Sequence, residues 1–266
     1  MADFWETVLT LTQEVTDRVG TQLMKDFGKI SATRKADGTL VTQADRWADG
    51  AIRDAIAAVF PEHGLLTEET LHLFPKGDWC WVIDPIDGTT NFTRGIPIWG
   101  ISIGLLYQGT PVFGAVRFPQ LGQFFHGYYY GDSGLNGPTG AFLNDEPIRT
   151  SPDDPSLNHL FNLCARSTAI MARPFPCKLR LLGVASYNLV LVACGTALGG
   201  VEATPKIWDV AAAYAILHAA GGAWVCLTSE PLFPLQVEQN YRDRPFPTLA
   251  VARPDLVSAF RPFIGK

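Results

Sequence analysis

Apolar residues at Phe4, Val8, Leu11, Val15, Val19, Leu23 and Phe27 recur at steps of three and four, which predicts an amphipathic helix closed by Gly28. A second helix is predicted across "LVTQADRWADGAIRDAIAAVF". Thr42 is its N-cap, Asp45 lies three residues later on the first turn, Trp47, Ile52, Ile56 and Val59 face inward, and Pro61 stops it. The pattern then shifts to apolar runs. "WCWVID", "IWGISIGLLY", "PVFGAVRF" and "QFFHGYYY" read as strands, with Gln108-Gly109-Thr110 joining the second to the third and Gly122 marking the next turn, so an antiparallel meander is expected. The Gly-rich "GDSGLNGPTGAFLN" reads as the loop of a further hairpin, because it lacks the GK[ST] ending of a P-loop.

"RTSPDDPSLN" is the one plausible boundary, which divides the chain into an N-terminal α+β part, 1–150, and a C-terminal α/β part, 151–266. Beyond it, strands near "HLFNLC", "GGVEA", "AWVCLT" and "FPTLAVA" alternate with helices near "SYNLVLVACGTAL" and "WDVAAAYAILHAAGG".

Composition narrows the function classes. With 266 residues, 47% hydrophobic and 18% charged, the chain can bury a substantial core. A net charge of -5 offers nucleic acid and anionic membranes no general attraction, so neither is expected as a partner. The opening "MADFWETVLTLTQEVTDRVG" carries acids among its apolar positions, unlike a secretion signal, and no apolar run reaches the roughly 18 residues of a membrane helix. A cytoplasmic protein is expected. Five widely spaced cysteines with no CxxC pair read mostly as buried reduced thiols.

The stretch "WVIDPIDGTTNF", Trp81 to Phe92, sets charge and hydroxyls at the end of a buried strand. Pro85 biases Asp84 toward an extended conformation that ends the strand, Asp87-Gly88 permits a sharp turn, and Thr89-Thr90-Asn91 reads as the start of a helical turn whose free amides suit an anion. Two carboxylates beside a bound phosphate are workable only with cations between them, and oxygen donors without His or Cys favour a hard ion, Mg²⁺. The bland reading of the same stretch is a pair of aspartates capping a turn.

"DPIDGTTNF" resembles the signature of the inositol monophosphatase family, within the lithium-sensitive, magnesium-dependent phosphomonoesterases. Three further stretches match in order: "KADGTLVTQAD" (Lys35 to Asp45), "LLTEET" (Leu65 to Thr70) and "WDVAAAYAILHAAGG" (Trp208 to Gly222). The resemblance implies a layered α-β-α-β-α sandwich, α+β and α/β in character, of the inositol monophosphatase and fructose-1,6-bisphosphatase type. It assigns Glu68, Asp84 and the Ile86 carbonyl to one Mg²⁺, and Asp84, Asp87 and Asp209 to a second, with a third, weaker metal near Glu68. Thr89 and Asp45 match the pair that orients and helps deprotonate the attacking water, and Gly88, Thr89 and Thr90 match the phosphate cradle. Glu202, Gly183, Ala185 and Asp87 match the substrate pocket, while Lys35 and Arg166 could meet phosphate or an anionic substituent. A homodimer and lithium inhibition follow by the same analogy.

The expected activity is hydrolysis of a small polyol phosphate, inositol 1-phosphate first, by direct attack of a metal-activated water and without a phosphoenzyme. Histidinol phosphate and sugar (bis)phosphates are the alternative substrates. "TEE" and "GIPIWG" resemble the histidinol-phosphate branch, yet that branch often carries Thr-Arg-Ser-Phe where this chain has "TTNF". Thr67 stands in place of the family's usual glycine, and His218 in place of a common glutamate. A non-catalytic metal- or phosphate-binding protein is the alternative of another class, and no assigned ligand is missing to favour it.

Overall fold

The computed structural model describes residues 2–34, 40–172 and 174–265. Helix α1 (Ala2–Asp26) buries Val8, Leu11, Val15, Val19 and Leu23 of the stripe read from the sequence, and also Trp5, while Phe4 and Phe27 are half-buried. Gly28 follows at φ 69°, its amide donating to the Phe92 carbonyl at 3.0 Å. A short antiparallel pair, β1 (Thr33–Arg34) and β2 (Leu40–Val41), leads into α2 (Gln43–Val59). The predicted cap of α2 is a full capping box: Thr42 Oγ1 accepts from the amides of Ala44 and Asp45, and the Asp45 carboxylate accepts from the Thr42 amide. Ile52 and Ile56 are buried as expected, but Trp47 and Val59 are 45% and 43% exposed, so that part of the inward-facing set is corrected. The buried stripe runs instead through Ala44, Ala48, Ile52 and Ile56, and two alanines let α2 lie close to α1 and turn the bulkier residues out.

The first sheet holds seven strands in chain order: β3 (Gly64–Thr67), β4 (Trp79–Asp87), β5 (Gly100–Tyr107), β6 (Thr110–Phe118), β7 (Gln123–Tyr128), β8 (Gly140–Leu143) and β9 (Glu146–Ile148). β3 pairs parallel with β4, and every later pairing is antiparallel, the expected meander. Between β4 and β5 lies the six-residue helix α3 (Thr89–Arg94). Asp84 does not end β4: pairing shifts after Asp84↔Ser102 and resumes at Asp87↔Gly100, so Pro85 sits in a bulge, where its missing N–H costs no ladder bond.

The second sheet comprises β10 (Leu160–Leu163), β11 (Lys178–Leu181), β12 (Gly199–Glu202), β13 (Ala223–Cys226) and β14 (Thr248–Val251), in the order β11-β10-β12-β14-β13. Its first three strands run parallel and β14 is antiparallel to both neighbours. Helices α4 (Ala185–Ala193) and α5 (Ile207–Ala219) fill the space between the sheets, α1 and α2 cover the outer face of the first, and α6 (Leu256–Phe260) packs on the second. The result is the layered α-β-α-β-α arrangement. Among the described residues no helix is long and apolar enough to cross a membrane. All five cysteines are free thiols; Cys80 and Cys177 are buried, and Cys164, Cys194 and Cys226 are half-buried.

One packing feature positions the site. Gly104, Gly114 and Gly127 stand in register across β5, β6 and β7, and a Cβ on Gly114 would lie 2.1 Å from the Ala212 carbonyl oxygen. The backbone of α5, with Ala211, Ala212, Ala213 and Ala215 all buried, therefore rests directly on the sheet. Ser102 Oγ, opposite Asp84, donates to the Trp208 carbonyl at 3.3 Å and locks the helix start beside the end of β4.

Candidate active site

Three carboxylates meet where those elements end. Asp84, Asp87 and Asp209 each offer an oxygen within 4.8 Å of the others. Each is aimed by a main-chain amide. Asp84 Oδ1 accepts from Ile86 N at 3.0 Å across the bulge, and Asp209 Oδ2 accepts from Lys206 N at 2.8 Å across the first turn of α5. Asp87 Oδ2 accepts from Ser186 N at 2.7 Å and Oδ1 from Ala185 N at 3.4 Å, so it caps the start of α4 from 98 and 99 residues away.

Burial first, and then the neighbouring Glu68, Asp87 and Asp209 charges, hold Asp84 well above the ordinary carboxylate range. Asp209 is raised by burial, Asp87 and Glu68 in the same way. Burial also raises Asp87, against the opposing pull of Ser186 and Ala185. Among the described residues none of the three forms an ion pair with a Lys or Arg. Such a cluster holds its full negative charge only with a cation among its oxygens, and the all-oxygen donor set suits a hard divalent ion.

Beside the trio, Thr89 Oγ1 lies 3.2 Å from Asp45 Oδ1 and 3.2 Å from the Ile86 carbonyl oxygen. The other oxygen of Asp45 is held by the amide and hydroxyl of Thr42 at 2.7 and 2.6 Å, so the capping box of α2 also fixes the partner of Thr89. Gly88, the N-cap of α3, has φ 91° and ψ 37°, and a Cβ there would meet Val184 at 2.5 Å. Thr89 is buried and Thr90 exposed, and both face the same cleft as Gly88.

That cleft, about 790 Å³, is lined by Glu68, Glu69, Asp84, Ile86, Asp87, Gly88, Thr89, Thr90, Gly183, Ala185, Glu202 and Asp209, and also by Arg46, Cys164, Arg166, Lys206 and Arg242. The structure thus gathers every site residue expected from the sequence except Lys35, which lies outside the described residues, and Asp45, which reaches the site through Thr89. Glu68 stands outside the tight trio, although its charge acts on Asp84 and Asp209. Thr67, the departure noted above, has a structural role: its Oγ1 accepts from the amides of Thr70 and Leu71, and Thr70 Oγ1 donates to Asp49 Oδ2 at 2.9 Å, which ties the Glu68-Glu69 turn to α2.

Glu202, 2% exposed at the end of β12, accepts from Asn188 Nδ2 at 2.7 Å and hydrogen-bonds Cys164. Burial pushes its carboxyl up to about 7. Asn91 Nδ2 reaches both the Ile98 and Leu182 carbonyls at 2.9 Å and joins α3 to the Gly183 turn. Asn188, Cys164 and the Ser186 amide were not singled out from the sequence, and Asn91 was read only as part of the helical turn after Gly88. Each acts through a contact with a distant segment that no local spacing announces.

An all-oxygen carboxylate cluster and a paired threonine in a cleft of a layered α-β-α-β-α protein define the class of metal-dependent phosphatases. The model of the inositol monophosphatase family matches residues 5–244, and the chain belongs to that family. It is 32% identical over 234 residues to a histidinol-phosphatase of Chlorobaculum parvum, covering 80% of this chain and 83% of that one. It is also 32% identical over 227 residues to a fructose-1,6-bisphosphatase/inositol-1-monophosphatase of Aquifex aeolicus, covering 80% and 82%. Among solved structures, the extragenic suppressor protein SuhB of Bartonella henselae superposes with a TM-score of 0.80 at 25% identity, over 96% of this chain and 97% of that one. The protein is a phosphoric monoester hydrolase of the inositol monophosphatase type, from a metal-dependent family that acts on small phosphorylated substrates.

Proposed function

We propose that the protein is a Mg²⁺-dependent phosphomonoesterase acting on a small polyol phosphate, with inositol 1-phosphate as the reference substrate. The observation that carries this reading is the buried Asp84, Asp87 and Asp209 trio within 4.8 Å, uncompensated by any described cation and next to the Thr89–Asp45 hydrogen bond. Asp84, Asp87 and Asp209, joined by Glu68 and the Ile86 carbonyl, would hold two or three ions. When bound, Mg²⁺ polarises the phosphoryl oxygens and stabilises the charge that develops on the leaving oxygen.

The remaining roles fall to the chain itself. Gly88, Thr89 and Thr90 line the cleft, and their amides hold the phosphate in this reading. Thr89 Oγ1 accepts a proton from the attacking water while its own hydroxyl proton passes toward Asp45 Oδ1, whose second oxygen is held by Thr42. Asp45 has the place of a base for this step because Thr42 keeps its carboxylate fixed in direct contact with the hydroxyl. Thr89 acts as a relay rather than a nucleophile, so no phosphoenzyme forms. Glu202, Gly183 and Ala185 line the side of the cleft that receives the polyol.

Phosphate release from inositol 1-phosphate with Mg²⁺, and with chelator, tests the reading. Release that stops with chelator and returns with Mg²⁺ is expected. Release that persists in chelator overturns it.

A further inference from the structure

We propose that Asp49 is a positioning residue for the metal site, holding through Thr70 and Thr67 the turn that carries Glu68; the inference rests on the reading of Glu68 as a metal ligand above. Asp49 is fully buried on α2, one helical turn after Asp45 and on the same face. Its Oδ2 accepts from Arg53 Nε and from Thr70 Oγ1, each at 2.9 Å, and Thr70 Oγ1 lies 3.1 Å from Thr67 Oγ1. A carboxylate paired with arginine only accepts, so the single hydroxyl proton of Thr70 goes to Asp49 and the hydroxyl of Thr67 donates to Thr70. Thr67 Oγ1 in turn accepts from the amides of Thr70 and Leu71 at 3.2 and 3.3 Å. Each hydroxyl in the chain thus has one orientation, set by the buried carboxylate.

The turn so held contains the peptide of Glu68. Glu68 N donates to the carbonyl of Ile83, the residue before Asp84, at 3.1 Å, and the Glu68 carbonyl lies 2.9 Å from His72 Nε2. β4 therefore fixes where the turn starts, and α2 fixes how it closes. The same face of α2 carries Asp45, whose carboxylate meets Thr89. One helix thereby sets the spacing between a metal-ligating glutamate and the partner of the water-orienting threonine. Glycine, the family's usual residue in place of Thr67, has no hydroxyl to pass to Thr70, so the link between the two threonines belongs to a chain that carries threonine there.

Thr70 is exposed and uncharged, so Thr70→Val cuts the chain without loading the core or altering the charge around the metal. Mg²⁺ binding without substrate, read by calorimetry, is expected to weaken about tenfold, the scale for losing a group that orients a metal ligand. The Mg²⁺ concentration for half-maximal hydrolysis of inositol 1-phosphate should rise by the same factor, with kcat near parental at saturating Mg²⁺. Thr70→Ser, which keeps the hydroxyl, should restore both. A merely structural role would lower the melting temperature in chelator and leave Mg²⁺ affinity untouched. Parental Mg²⁺ affinity in Thr70→Val, or no recovery in Thr70→Ser, overturns the proposal. Weakened Mg²⁺ binding by Thr70→Val, where the parent releases no phosphate from inositol 1-phosphate, would leave the positioning role standing and sink the phosphatase reading; release by the parent with unchanged Mg²⁺ affinity in the variant would do the reverse.

Discussion

The wall of the cleft that carries Asp84, Asp87 and Asp209 is aimed by main-chain groups, whereas the wall that carries Glu202 and Arg166 is aimed by side chains. On the first, Ile86 N, Ser186 N and Lys206 N each hold one carboxylate. On the second, Glu202 depends on the Asn188 amide group and the Cys164 thiol, and Arg166 on the Thr204 hydroxyl. A peptide N–H survives any substitution except proline, so the first wall keeps its geometry while the sequence around it drifts. The second changes with a single residue. This contrast gives a physical reason why relatives at about one third identity bear names as different as histidinol-phosphatase and fructose-1,6-bisphosphatase/inositol-1-monophosphatase.

The largest effect should come from the first wall. Asp84→Asn removes one charge from the trio and retains an oxygen for the Ile86 amide. Turnover is expected to fall about 10³-fold, the scale of losing one preorganised electrostatic partner. Because burial and like charges destabilise the Asp84 carboxylate, the same variant should melt at a higher temperature than the parent in chelator. A variant that keeps near-parental kcat would break the comparison, since the main-chain-held wall would then not be the reactive one.

Next in size is the frame beneath that wall. Gly114→Val drives a side chain into the Ala212 backbone, and overpacking of this kind costs about 3 kcal/mol. α5 must lift to accommodate it, and Asp209 moves with the helix. Thermal unfolding should drop, and Mg²⁺ affinity measured by calorimetry should drop with it. Loss of stability with unchanged Mg²⁺ affinity would show that Asp209 is not positioned by the glycine file.

These two walls were also unequally legible in the sequence. Asp45, Asp84, Asp87 and Asp209 sit in short segments whose capping and turn chemistry is local, so Thr42–Asp45 and Gly88–Thr89 could be read before any contact was known. The meander and most of the α1 stripe were legible for the same reason. Trp47 and Val59 misled because bulk alone does not choose a helix face when Ala44 and Ala48 pack more closely. The strand beyond Pro85 was hidden by a bulge, which is defined by its partner strand. Asn188, Cys164 and the Ser186 amide act at separations of 14, 38 and 99 residues, where only the folded topology supplies the neighbour.

A smaller effect should sharpen the second wall. Glu202→Gln retains the shape that Asn188 and Cys164 surround while removing the charge that a polyol hydroxyl would meet. KM for inositol 1-phosphate is expected to rise about tenfold, with a smaller change in kcat, as for a lost hydrogen bond to a charged group. A fall in kcat to the level of Asp84→Asn would place Glu202 in the chemistry instead.

The smallest expected effect lies away from both walls and serves as their control. Burial holds His126 and His218 down at about 4, below the ordinary 6.5, so the folded protein keeps both rings neutral. The unfolded chain binds their protons first as pH falls. The stability they contribute is therefore complete above pH 6.5 and is lost as pH drops toward 4. Between pH 7 and 5.5 the loss is on the order of 1 kcal/mol per histidine by urea unfolding. Asp84 and Asp209 have the opposite sign: their raised values make the metal-free fold less stable as pH rises above the ordinary carboxylate value. Mg²⁺ should cancel the carboxylate contribution and leave the histidine one untouched. Unfolding curves in Mg²⁺ and in chelator should thus differ more at pH 7.5 than at pH 5, while His126→Phe shifts both by the same amount. A His126→Phe effect that depends on Mg²⁺ would show that the two regions are coupled through the first sheet.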